Sequence, residues 1–197
     1  MAVFVPPDPV HVEVDVAPAI ARWRPFVHWL LAVPHVFVLY ALQVVQGALT
    51  FAAFFTVLFT KRIPDSIFDT IVMTRRYEWR VVSYVACLRE SYPPFELTPA
   101  AADPGTDPAR LAIDRPGELN RFLPLVKWLL VLPHAIVLGF LGFAAAIAVL
   151  VGYVAVIATG RFPEGIAAFV VGVYRWNARV LAYAGLLTDR YPPFSLD

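Results

Sequence analysis

Trp29-Leu30-Leu31-Ala32-Val33-Pro34-His35 returns 99 positions later as Trp128-Leu129-Leu130-Val131-Leu132-Pro133-His134. An ungapped recurrence of this kind is the signature of a duplicated structural unit. The register holds outward in both directions. Asp15, Arg22 and Pro25 recur as Asp114, Arg121 and Pro124. Thr60, Arg62 and Pro64 recur as Thr159, Arg161 and Pro163. Arg76 and Arg80 recur as Arg175 and Arg179, and Tyr92-Pro93-Pro94-Phe95 as Tyr191-Pro192-Pro193-Phe194. The chain therefore divides into a tail (1–10), unit 1 (11–97), a linker (98–109) and unit 2 (110–197).

The quoted block opens a long apolar run in each unit, 25–60 and 124–159. Some 35 helical residues would reach about 52 Å against a hydrocarbon core of about 30 Å. A single upright span is too long, and two short ones fit. The run predicts a transmembrane hairpin turning near Gln46-Gly47 in unit 1 and between Gly139 and Ala146 in unit 2. Pro34 and Pro133 are expected to kink the first helix.

Composition agrees with a bilayer: 59% hydrophobic, only 16% charged, and a mean hydropathy of +0.67. A net charge of +1 gives no field that would recruit nucleic acid. The single cysteine, Cys87, excludes an internal disulfide. Residues 1–20 carry prolines and acidic residues and lack the basic-then-apolar pattern of a secretory leader, so insertion is expected to use the long runs themselves.

After the run comes Pro64-Asp65 or Pro163-Glu164, a stop followed by a new helix start. A third helix is expected over 66–90 and 165–189. One of its faces carries Arg76 and Arg80, or Arg175 and Arg179. Arginines at mid-bilayer cost at least about 2.5–3.5 kcal/mol each. An amphipathic helix lying in the interface avoids that cost. Arg22, Arg121, Arg62 and Arg161 flank equivalent positions, and the positive-inside rule places all of them on the cytoplasmic side. Both units then point the same way, with an even number of spans each. The location expected is the bacterial cytoplasmic membrane, multi-pass, both termini cytoplasmic. One long bent span plus a spanning third helix is the second arrangement that preserves parity.

Each unit opens with a short alternating stretch, residues 11–16 and 110–114, and closes with the extended Tyr-Pro-Pro-Phe segment. A small sheet between opening and closing segments is expected. The linker, rich in Pro, Asp and Gly, reads as a solvated connector. The fold class is thus all-α integral membrane: a tandem repeat of a helical hairpin plus an amphipathic interfacial helix, with short extended segments at either end.

The blocks W-L-L-x-x-P-H, T-x-R-x-P and Y-P-P-F resemble those of the bacterial membrane family known as domain of unknown function 4389. The resemblance covers both units. It implies a membrane location and a tandem arrangement, and it supplies no activity.

His35 and His134 are the leading candidate ligands, because an ionisable residue inside a span is a functional position by default. Facing one another, two imidazoles would ligate haem iron or another metal. The competing expectation, favoured here, is a structural hydrogen bond from each, since no carboxylate stands nearby to orient the ring. His28 has Lys127 as its counterpart, which argues against a shared ligand role there. Arg76, Arg80, Arg175 and Arg179 are candidates for contact with anionic lipid or a partner's acidic groups, against an internally paired face. Gln43 and Gln46 do not recur. Trp23, Trp29, Tyr92, Trp128, Trp176 and Tyr191 read as interfacial anchors, and Gly139, Gly142 and Gly152 as sites of close helix packing. No nucleophile–base set or phosphate loop is present, and no resident cofactor is expected. The function expected is a non-enzymatic scaffold or accessory subunit, with a bilayer and a membrane-protein partner or second copy as its partners. A small-solute transporter or channel, and a paired-histidine haem or metal protein, are the alternatives.

Overall fold

The computed structural model describes residues 8–197; seven of the ten residues of the expected tail lie outside that range. In unit 1, strand β1 (Val10–Val14) leads to helix α1 (Arg24–Leu31), a long helix α2 (Val33–Thr60) and helix α3 (Asp65–Val85). Unit 2 repeats the order with β2 (Ala109–Ile113), a 3-10 turn at Leu123–Leu125, α4 (Lys127–Leu130), α5 (Leu132–Thr159) and α6 (Glu164–Ala184).

The expected hairpin is not there. Gln46 and Gly47 lie inside α2, and the 139–146 segment lies inside α5. A lone glycine costs a helix only about 1 kcal/mol, too little to break a run of good helix formers. The length argument also presumed an upright helix, a limit that does not bind one lying along its own protein. Pro34 and Pro133 sit in the first turn of their helices, where a missing N–H costs nothing. They start α2 and α5 after a brief irregularity at Ala32 and Val131 and do not kink a span. The result is two apolar rods, Arg24–Thr60 and Leu132–Thr159, each long and apolar enough to cross a membrane by length and composition.

The third helix is likewise not the open amphipathic helix expected. Phe68, Val72, Met73, Tyr77, Trp79, Arg80 and Tyr84 of α3 are all buried, as are Val170, Trp176, Arg179 and Tyr183 of α6. Tyr77 and Trp79 stand two residues apart, about 200° around a helix. Tyr77 meets His35 of the rod, while Trp79 donates to the Glu13 carbonyl of the strand at 2.8 Å. Rods and strands therefore cover opposite faces of α3.

The strands pair with each other across the units, not with the closing segments of their own. The ladder is antiparallel and centred on Val12 opposite Leu111, which are equivalent positions of the two units. A pseudo-two-fold axis passes between them. Asp15 N–H donates to Pro108 O at 2.9 Å and Asp114 N–H to Pro9 O at 2.8 Å. Further out, Ile20 N–H donates to Gly160 O and Leu119 N–H to Lys61 O, both at 2.8 Å. β1 packs on α6 and β2 on α3, so each unit completes its core with the other's strand.

Of the three glycines expected at close contacts, only Gly152 makes one. A Cβ there would meet the Phe162 ring at 2.3 Å, whereas Gly139 and Gly142 face open space.

Candidate functional site

The recurring blocks converge in each unit on its histidine. The His35 imidazole lies 2.5 Å from the Tyr77 hydroxyl through Nδ1. It stacks on Phe95 at 4.2 Å between ring centroids, with Tyr92 tilted against it. In unit 2, Trp176 Nε1 donates to His134 Nδ1 at 3.0 Å, and Phe194 stacks at 3.9 Å. The Tyr-Pro-Pro-Phe segment is thus the lid over its own unit's histidine. Proline suits this role because an extended segment with fewer N–H groups leaves fewer donors to satisfy. The two histidines are not brought together. Each is fully buried among its own unit's aromatics. Among the described residues no group of three or more His, Cys, Asp or Glu side chains could hold a metal ion.

The arginine face is turned inward and bound to the chain itself. Arg76 donates to Leu111 O at 3.0 Å and to the carbonyls of Ala100, Ala101 and Ala102, and it pairs with Asp103 at 3.1 Å. Burial pulls its guanidinium below the ordinary arginine range, and Asp103 opposes that pull. Arg80 pairs with Glu96 at 2.7 Å and faces Asp103 and Asp107 at 3.8 and 3.9 Å. In unit 2, Arg175 reaches Val12 O and Leu196 O at 3.3 Å. Arg179 pairs with Asp8 and donates to the carbonyls of Ser195 and Asp197. These four arginines hold strands, linker and closing segments against α3 and α6; Arg76, Arg80 and Arg179 are buried, whereas Arg175 is half-buried.

The linker is solvated only in part: Pro104, Gly105 and Thr106 are exposed, but Asp103 and Asp107 are buried counter-ions. Asp8 and Asp107 are equivalent residues, and each also accepts a backbone N–H two residues on, from Val10 and Ala109. The Asp8-Pro9 and Asp107-Pro108 pairs show the same recurrence in the sequence, a signal that marks both aspartates and extends the repeat upstream.

Cys87 meets His28 Nδ1 at 3.3 Å, the one contact with the look of a thiol–imidazole dyad. It cannot act as one. His28 Nδ1 is engaged by the Tyr84 carbonyl at 2.8 Å, and burial pushes the thiol up to about 12, so no nucleophilic thiolate forms near neutrality.

The family profile described as domain of unknown function DUF4389 matches residues 22–96 and 124–195. The chain belongs to this family. The two DUF4389 segments cover the rods, α3 and α6, and the closing segments, but neither strand nor the acidic linker that neutralises the arginines. No curated protein and no solved structure matches the chain.

Proposed function

We propose that the protein is a non-enzymatic membrane scaffold or accessory subunit, seated in the bacterial cytoplasmic membrane by its two rods. The observation that carries this reading is the contrast between the rods and everything beneath them. Phe37, Tyr40, Phe51 and Phe59 on α2, and Phe140, Phe143, Leu150 and Val154 on α5, are all exposed. Such contiguous apolar surface marks a membrane or protein contact. The ionisable groups of the core, by contrast, are absorbed in holding the fold: arginine on carboxylate and carbonyl, histidine on tyrosine or tryptophan.

Alkaline carbonate extraction of membranes is the first test, and the protein is expected to stay in the pellet. A monodisperse, detergent-free protein in the supernatant would overturn the membrane reading. Gentle detergent extraction tests the scaffold reading. A reproducible partner or a second copy is expected to co-purify, and a consistently solitary monomer counts against it.

A further inference from the structure

Taking the membrane seat as given, we infer that both rods lie flat in one leaflet, with the pseudo-two-fold axis along the membrane normal. The start of each rod is hydrogen-bonded beside the end of the other, Ile20 to Gly160 and Leu119 to Lys61. Two long rods joined in this way run antiparallel, and the axis relating them is perpendicular to both. Two orientations satisfy this: upright with the units inverted, or flat.

The sheet decides between them. Val12 and Leu111 straddle the axis, so in an upright arrangement they lie at the depth of the rods' mid-point. Their neighbours on the ladder are charged and open. The side chains of His11, Glu13, Asp15 and Asp114 are 50%, 65%, 66% and 64% exposed. Upright rods would place this cluster, with its partner Arg110, at the bilayer centre, where ionised side chains are costly even when paired. Flat rods put it in water. Rods and strands cover opposite faces of α3, so when the rods are sunk in the leaflet the sheet points away from it.

The flat pose also brings the exposed basic residues at the rod ends, Arg22, Arg62, Arg121 and Arg161, to one depth on one side. There they meet headgroup phosphates. The same-side placement expected from charge is met without an even number of spans. The partner surface is a single leaflet bearing anionic headgroups.

The test uses the full chain in sealed vesicles of phosphatidylethanolamine and phosphatidylglycerol. Single-cysteine reporters at Glu13→Cys, Arg62→Cys and Arg161→Cys, in a Cys87→Ala background, are probed with a membrane-impermeant maleimide. All three are expected to label from the same side. Labelling of Arg62→Cys and Arg161→Cys from opposite sides establishes the upright, inverted arrangement and overturns the proposal, as does a Glu13→Cys that labels only after detergent is added. Protein that never co-floats with vesicles refutes the membrane seat itself, a separate outcome. Polarised infrared dichroism of the unsubstituted protein in aligned bilayers gives an independent answer. Helix axes in the membrane plane are expected, and axes along the normal overturn the inference.

Discussion

His28 in unit 1 and Lys127 in unit 2 occupy the same buried place with different chemistry. His28 stacks on Tyr84 at 3.9 Å and engages its carbonyl at 2.8 Å. Lys127 lies over the equivalent Tyr183, donates to Thr188 O at 2.7 Å and pairs with Asp189 at 2.8 Å. Both tie the rod's opening to the closing turn of the third helix, at Tyr84 within α3 and at Thr188 just beyond α6. What persists between the copies is a cationic or aromatic donor aimed at that turn, not a residue type. Comparing the copies by identity therefore discards a position that comparing them by contact retains. The same holds elsewhere: Ala53 with Ile63 stands opposite Gly152 with Phe162, and Lys61 opposite Gly160.

The largest difference lies in the buried charges. Asp107 serves both Arg89 and Arg80, whereas its equivalent Asp8 serves Arg179, which also binds two carbonyls. Removing one partner of a buried pair costs about 3–5 kcal/mol. Asp107→Ala is expected to lose that much in denaturant unfolding of the reconstituted protein, and Asp8→Ala clearly less. Equal losses would mean that the two clusters are equivalent despite their geometry.

The second difference is one of volume. Gly152→Ala drives a Cβ into the Phe162 ring, and overpacking of this kind costs about 1–3 kcal/mol. Phe162→Ile in the same chain recreates unit 1's pairing and is expected to recover most of the loss. A double-mutant cycle with no coupling would break the claim that the units exchange volume between these two positions.

The third is a titration. Cys87 is held up to about 12 by burial, while its counterpart Leu186 has nothing to titrate. The folded state keeps its proton where the unfolded thiol, near its ordinary value of 9.0, gives it up. The folded chain then binds more protons, so stability is intact below pH 9 and falls as pH rises from there towards 12. Burial pushes Tyr77 up as well, and tyrosine, with its midpoint about a unit higher at about 10, adds a share of the loss that grows as the thiol's levels off. Cys87→Leu is expected to flatten the pH 9–10 portion of the stability profile, measured by denaturation at half-unit steps. An unchanged slope would assign the alkaline loss elsewhere.

These differences also show what could be read from the chain alone. The duplication, the family and the apolar runs were legible because each repeats over tens of residues. The hairpin expectation failed because a length limit for upright spans says nothing of a rod lying against its own protein. The arginine face was visible as a stripe on α3 and α6, but its partners were not. Asp103 and Asp107 lie in a segment whose proline and polar content reads as linker, and Glu96 in the extended closing segment of unit 1; only three-dimensional packing brings them over Arg76 and Arg80. His35 and His134 were found by position. Their aromatic housing of Tyr77 or Trp176 with Phe95 or Phe194 is long-range in sequence, and the two donors share no chemistry that an alignment by identity would flag.

The smallest expected effect concerns the rod ends, and it bears most directly on the symmetry. α2 ends on Lys61 at φ 59° and α5 on Gly160 at φ 74°, both left-handed. Only glycine takes that conformation without its Cβ crowding the next carbonyl, a penalty of roughly 1–2 kcal/mol for other residues. Lys61→Gly is therefore expected to stabilise the fold by about 1 kcal/mol, after allowance for the entropy glycine gains when unfolded. The ion pair it gives up is slight, since Lys61 stands 3.8 Å from a largely exposed Glu118. Gly160→Ala should lose a similar amount, for its Cβ would find only the Ile20 carbonyl at 3.6 Å and Arg22 at 4.0 Å, leaving backbone strain as the whole cost. If Lys61→Gly instead destabilises, the lysine contributes something beyond its conformation. The place to look is then Glu118, which the lysine's ammonium faces, next to the Leu119 N–H that donates to the Lys61 carbonyl and fixes the end of one rod to the start of the other.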